Sequence, residues 1–368
     1  MTYEGARSIT GPYLAFLGAS GAVVGIVAGL GELVGYGLRL ASGYLADRTK
    51  HYWGIAIFGY TLNLLAVPAL ALAGRWEIAA LLMIAERTGK AIRNPSRDVM
   101  LSCAAGRIGR GWGFGLHEAL DQIGAVLGPL IAAGVLALGG SYRGAFGLLG
   151  VAAALALATL AAARITFPNP SDLEVRKSGL ATGKGLGRSY WVYLGAVALV
   201  AAGYADFPLI AFRLQKEGIV EAAAIPVLYA IAMAVDAGAA LVFGGLFDRF
   251  GLRILAAVTL VSALFAPLVF LGGLPLVVAG MVLWGVGMGA QESIMRAFIA
   301  ELVPTDRRGT AYGIFNAGYG MSWFLGSALI GVLYDVSVIG LVAFSVVSQL
   351  LAVPVFLSMR RKSEARTG

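Results

Sequence analysis

The chain has 368 residues, of which 59% are hydrophobic and 13% charged, with a mean hydropathy of +0.82. Soluble domains carry about 25% charged residues, so half that density leaves too few charges to cover a water-facing surface and excludes an ordinary globular enzyme. The net charge of +8 would fit a nucleic-acid binder, but the Lys and Arg sit in short gaps between apolar runs, which is the pattern of membrane orientation. Cys103 is the only cysteine and His51 and His117 the only histidines, so neither a disulfide framework nor a metal site is expected.

Apolar segments of bilayer length, about 20 residues each, recur along the chain. Residues 1–18 form the outer half of a first helix, with Glu4 and Arg7 three apart on one face. A free amine halfway through a bilayer is costly, so a truncated start is expected, a short re-entrant or surface segment being the alternative. Complete spans follow near Gly21–Leu45, Trp53–Leu72, Ile78–Cys103, Trp112–Leu138 and Gly144–Ala163. The polar stretch Arg164–Ser189 separates them from six more, near Tyr190–Phe212, Glu221–Phe247, Ile254–Leu271, Pro275–Ala300, Thr310–Tyr334 and Val336–Leu357. Lipid offers no partner to a free N–H or C=O, and these runs lack the alternation of a barrel, so each is helical. The expected fold is an all-α membrane protein with eleven complete spans and a partial first one. Its domains are an N-terminal helical bundle (1–163), a cytoplasmic linker (164–189) and a C-terminal bundle with a short basic tail (190–368).

Arg48, Lys50, Arg107, Arg110, Arg164, Arg249, Arg253, Arg307, Arg308 and the tail Arg360-Arg361-Lys362 fall on one side of this threading, while Arg75, Arg143, Arg213 and Lys216 fall on the other. The richer side is cytoplasmic. That places the C-terminus inside a plasma (inner) membrane crossed many times.

The two halves repeat each other. Gly43-Tyr-Leu-Ala-Asp47-Arg48 returns 201 residues later as Gly244-Gly-Leu-Phe-Asp248-Arg249. Gly111-Trp-Gly-Phe-Gly115 and Gly128-Pro-Leu-Ile return at an offset of 198 as Gly309-Thr-Ala-Tyr-Gly313 and Gly326-Ser-Ala-Leu. A parallel repeat of this kind is a known transporter plan, with substrate bound near mid-membrane.

With these blocks the chain resembles the major facilitator superfamily. Gly43–Arg48 followed by Lys50 looks like that family's signature between helices two and three, and Gly244–Arg249 like its weaker copy. Gly124-x-x-x-Gly128-Pro129 is similar to the Gly-Pro signature of helix five common in exporters, with Ala132-Ala133-Gly134 where a Gly-Gly ending is usual. The resemblance covers essentially the whole chain. It implies alternating access driven by a proton or solute gradient and no particular substrate.

Ionisable groups within spans persist where they face a partner or a watery cavity. Glu86, Lys90, Arg93 and Arg97 fall within about 60° of one another on the fourth helix, beside Arg87 and Asp98. Such a stripe has to face the bundle interior. The fifth helix supplies His117, Glu118 and Asp121. By helical rise, Arg97 and Glu118 each lie about 9 Å from the cytoplasmic ends of their helices, and Arg93 and Asp121 about 14 Å. Opposite charges at matched depth suggest pairs. The second helix adds Glu32 and Arg39 on one face, Glu32 being roughly level with Lys90.

Two readings stand for these groups. They are ion pairs that lock the bundle, favoured for Arg97 and Glu118, or they carry protons and bind an anionic group, favoured for Glu32, Lys90, Arg93 and Asp121. A buried carboxylate stays ionised beside a cation and takes up a proton when the cation moves away, which makes Glu32 and Asp121 the proton-carrier candidates. In the second half Asp206, Asp236 and Glu292 lie within spans, and Arg296 stands four residues beyond Glu292 in ion-pair spacing. Asp206, with Tyr204, Phe207 and Pro208, interrupts the seventh helix, as a cavity-lining residue or as a plain kink. Gly43, Asp47, Arg48, Asp248 and Arg249 are expected to latch one conformation.

Gly183-Lys184-Gly185 lacks P-loop spacing, no Ser/His/Asp or Cys/His set is visible, and no signal peptide is evident. The expectation is a secondary transporter and not an enzyme, proton-coupled, with export favoured by Gly124–Pro129. Uptake of an organic anion, or a sensor or scaffold on the same fold, is the alternative. The expected partners are membrane lipids, a small-molecule solute and protons, with no nucleic acid, no cofactor, no metal, and a monomer as the working unit.

Overall fold

The computed structural model describes the backbone of residues 1–104, 110–168, 186–303 and 308–359; the side chains of residues 102–116, 118, 119, 248, 300, 308, 309 and Asp47 lie outside the described set. Fourteen α-helices account for nearly all of it, with no strand among the described residues. The helices are α1 Thr2–Phe16, α2 Gly21–Thr49, α3 Tyr52–Ala69, α4 Trp76–Ala104, α5 Arg110–Ala137, α6 Tyr142–Thr166 and α7 Arg188–Gly203. They continue as α8 Phe207–Lys216, α9 Ala224–Phe250, α10 Leu252–Ser262, α11 Phe265–Leu271, α12 Leu274–Leu302, α13 Arg308–Val336 and α14 Val338–Ser358.

Among the described residues, ten helical segments are long and apolar enough to cross a bilayer. Two are broken helices. The α7–α8 break falls where Asp206 accepts from the Phe207 N–H at 2.9 Å, capping α8, and Pro208 occupies its first turn, where a missing N–H costs nothing. The sequence reading expects one continuous helix over Ile254–Leu271, but the chain turns at Ala263 and Leu264 before Pro267, which cannot donate within a helix. α4 is 29 residues long, as long as α2, and stands outside the ten because its face is charged. α1, at 15 residues, is shorter than a span but is no surface segment. Ile9 and Leu14 are fully buried, and the helix packs on α5 and α6.

The chain divides into two compact units, one of Met1–Ala19, Leu30–Lys177 and Leu214–Ala230, the other of Ser20–Gly29, Ser178–Arg213 and Ile231–Gly368. Each is built to the same internal rules, and the repeated sequence blocks show why. In the first unit a Cβ on Gly5 would lie 2.8 Å from the Gly128 carbonyl oxygen, so α1 and α5 touch backbone to backbone. In the second, Gly326 presses in the same way on the backbone of Ala202, joining α13 to α7. Tyr13 donates to the carbonyls of Leu70 at 3.0 Å and Ala73 at 2.7 Å, and Arg213 donates to the carbonyl of Val269. Ser141 caps α6 through the Gly144 N–H, and Ser337 caps α14 through the Gly340 N–H. Small residues allow such close helix contacts in lipid, where packing rather than hydrophobicity drives association.

The loop signature repeats in backbone form too. Lys50 has φ 58° and Gly251 φ 63°, and each N–H bonds four residues back, to Ala46 at 2.9 Å and Phe247 at 2.8 Å. Both close their helix at a positive φ, which at Gly251, with ψ −147°, only glycine adopts freely. In the second unit α2 begins with its donors met. Asp335 of α13 accepts from Gly21 N–H at 3.1 Å and Ala22 N–H at 2.7 Å, and Ser20 accepts from Val23 N–H at 3.2 Å.

Candidate functional site

The charged face of α4 sits inside the first unit. It is positioned by α3, whose Gly59 and Asn63 backbone meets Gly89 so closely that a Cβ there would clash. That contact brings the Asn63 amide to Glu86, donating at 2.6 Å to the carboxylate and at 3.0 Å to the carbonyl. Glu86 also meets Arg87 at 3.4 Å. Arg87 reaches Glu32 of α2 at 3.3 Å, and Arg7 of α1 reaches the same carboxylate oxygen at 3.3 Å. All three side chains are about seven-eighths buried. A carboxylate between two guanidinium groups is well matched, because leaving either cation unpaired in a buried place is costly.

One turn further along α4 the surroundings change from carboxylates to rings. Lys90 Nζ stands 3.9 Å above the ring of Tyr3. Arg93, only 5% exposed, lies 4.4 Å over Tyr60 and 6.0 Å from Tyr3. The Tyr3 hydroxyl donates to Asp121 of α5 at 3.3 Å. The depth-matched Arg93 and Asp121 therefore meet through Tyr3, which stands between them, and not as a direct pair. Glu4 of α1, 8% exposed, accepts from the Tyr229 hydroxyl at 2.5 Å, a residue of the same unit. Lys90, Arg7 and Arg87 lie within its electrostatic reach.

The remaining expected positions divide as follows. Arg39 lies 5.1 Å over the Tyr36 ring on α2. Arg97 bonds its neighbour Asp98 at 2.7 and 2.9 Å, while Glu118, its expected partner, falls outside the described side chains. His117 is half-buried on α5. In the second unit Asp206 is the buried cap of α8, and Asp236 is buried on α9 where its backbone packs against Gly289. Glu292 and Arg296 are exposed. Of the latch residues, Gly43 packs on Pro95, Arg48 is exposed and bonds the Tyr44 hydroxyl at 3.2 Å, and Arg249 is exposed. Asp47 and Asp248 lie outside the described side chains.

Glu4, Arg7, Tyr3 and Tyr229 are the functional candidates that the sequence reading did not include. The three-residue spacing of Glu4 and Arg7 was the available signal. Nothing in the sequence singles out Tyr229 within an apolar run. Among the described residues no cluster of His, Cys, Asp and Glu could hold a metal ion.

The sequence matches the family described as Major Facilitator Superfamily over residues 2–327 and 220–367. It is 44% identical over 366 residues, 98% of this chain and 90% of the relative, to an uncharacterized protein of Mycobacterium tuberculosis. It is 25% identical over 335 residues, 87% of this chain and 82% of the relative, to an uncharacterized MFS-type transporter of Methanocaldococcus jannaschii. Among solved structures its fold is similar to a mutant of the nucleoside transporter NupG, with a TM-score of 0.78 at 12% identity, covering 96% of each chain. It is also similar to a mutant of the peptide transporter POT in complex with sulfate, with a TM-score of 0.76 at 15% identity, covering 97% of this chain and 90% of that one. A bacterial homolog of the human lysosomal transporter Spinster gives a TM-score of 0.74 at 16% identity, covering 97% and 95%.

Proposed function

The chain belongs to the Major Facilitator Superfamily, and from that membership we propose that it is a secondary active transporter of a small solute, working by alternating access and coupled to protons. The helical bundles 1–163 and 190–368, joined by the linker 164–189, are its two moving bodies. It sits in the plasma membrane with the C-terminus in the cytoplasm, works as a monomer, and exports its solute. The loop asymmetry of Lys and Arg supports the orientation, and the Gly124–Pro129 block supports the direction.

The observation that carries this reading is the buried charge cluster on α1, α2 and α4. Such groups are expensive inside a membrane protein and mark ion and substrate pathways. Their arrangement supports a division of labour. Glu32 is held by two guanidinium groups, which suits a structural hinge between helices. Glu4 accepts from a neutral hydroxyl, and Lys90, Arg7 and Arg87 act on it from beyond contact, so a proton can neutralise it without breaking a direct ion pair. Asp121, bonded to Tyr3, is arranged likewise. These two carboxylates are the proposed proton carriers, with Glu4 taking the place the sequence reading gave to Glu32.

The test is solute-dependent proton movement in proteoliposomes, followed with a trapped pH-sensitive dye. Glu4→Gln and Asp121→Asn are expected to remove proton movement while solute exchange persists. Proton movement unchanged in both variants would overturn the assignment.

A further inference from the structure

Resting on the transport reading above, we infer that the transported solute carries a compact oxyanion, a carboxylate or a phosphate, held by Lys90 and Arg93 between the rings of Tyr3 and Tyr60. Elimination among the cations of α4 singles out this pair. Arg7 and Arg87 share Glu32, and Arg97 holds Asp98. Lys90 and Arg93 are different. Among the described residues their close contacts are aromatic faces, and neither has a carboxylate within salt-bridge distance. Arg93 is 5% exposed, and its Nε has no hydrogen-bond acceptor among the described residues.

The neighbouring acids are engaged elsewhere. Glu86 bonds Asn63 and Arg87, Glu4 bonds Tyr229 while its field reaches Lys90, and Asp121 bonds the Tyr3 hydroxyl. A ring face attracts a cation, yet it offers no lone pair to an N–H. Arg carries five donors in a flat fork and Lys three on a point charge. Positions 90 and 93 are three apart and share a helix face. One oxyanion can therefore accept from the fork of Arg93 with two oxygens and take the Lys90 charge at its side. The two rings would flank whatever body the anion carries.

Binding to the purified protein in neutral detergent, read by thermal unfolding and by titration calorimetry, tests this apart from transport. The probes are citrate, succinate, glucose 6-phosphate and inorganic phosphate, with glucose and choline as controls. At least one oxyanion is expected to raise the unfolding temperature saturably, with tenfold or greater weakening in Lys90→Gln and in Arg93→Lys. The Arg93→Lys variant keeps the buried charge and removes the fork, so loss of binding in a protein that unfolds at the parent temperature reports recognition and not folding. Protection by glucose or choline alone, no protection by any oxyanion, equal binding in both variants, or a shift produced only by phosphatidylglycerol in the micelle would each overturn the inference. Oxyanion binding without flux in liposomes would sustain the Lys90–Arg93 oxyanion site and remove the transport reading. Flux of a neutral solute with no oxyanion effect would do the reverse.

Discussion

Replacing Gly128 with Ala adds one methyl group at a backbone-to-backbone contact of the first unit. A Cβ there would fall against the Met1 carbonyl oxygen and within 2.8 Å of the Gly5 nitrogen and 3.0 Å of the Met1 carbonyl carbon. These are backbone atoms of α1 and of Met1 that precedes it, which cannot swing aside as a flexible side chain would. The helices have to separate, and overpacking of this kind costs about 1–3 kcal/mol. Ala is the better helix former by about 1 kcal/mol, so the net loss is about 0–2 kcal/mol. Gly134→Ala on the same helix is the matched control, because a Cβ there meets nothing within 4 Å. It keeps the propensity gain without the clash. The two variants are therefore expected to differ by about 1–3 kcal/mol, with Gly128→Ala the weaker, in reversible unfolding from mixed micelles. Gly326→Ala should repeat the loss in the second unit, where Ala202 is the obstacle. Equal stability of Gly128→Ala and Gly134→Ala would refute the backbone contact and with it the packing role of the Gly-Pro block.

Glu32→Gln leaves Arg7 and Arg87 around a neutral amide and is expected to cost about 3 kcal/mol, the lower end for a broken buried pair, since the side chains retain some exposure. Glu4→Gln keeps a hydrogen-bond acceptor for Tyr229 and should cost no more than about 1 kcal/mol; unfolding in denaturant ranks the two, and the reverse order would contradict the division of labour. Lys50→Gly relieves a side chain at φ 58° and is expected to raise stability by about 1 kcal/mol, read as a higher unfolding temperature. Asp335→Ala removes the acceptor for the first two N–H groups of α2 and should cost about 0.5–2 kcal/mol, with Asp335→Asn recovering part of it.

The helical order was legible because lipid permits little else. Composition alone dictates helices, and the offsets of 198 and 201 mark a repeat that the structure carries down to single contacts such as Gly5–Gly128 and Ala202–Gly326. The break at Asp206 was legible from its Pro neighbour, but the break at Ala263 was not, because Pro267 lies four residues away in a run of uniform hydropathy. The charged face of α4 could be read from helical spacing. Its partners could not, since depth along a helix says nothing about which ring or hydroxyl stands between two charges. Tyr3 between Arg93 and Asp121 is the example. Glu4 escaped for a related reason. Residues 1–18 read as the outer half of a truncated first helix, which draws no attention to Glu4, a residue 8% exposed and hydrogen-bonded across helices.

An imposed pH gradient across proteoliposomes addresses the coupling claim most directly, with the best-protecting oxyanion as solute. Proton coupling through Glu4 predicts accumulation of that solute above its starting concentration, collapsing with a protonophore and absent in Glu4→Gln, which should still equilibrate it. Accumulation that ignores the gradient, or that persists in full in Glu4→Gln, would contradict it.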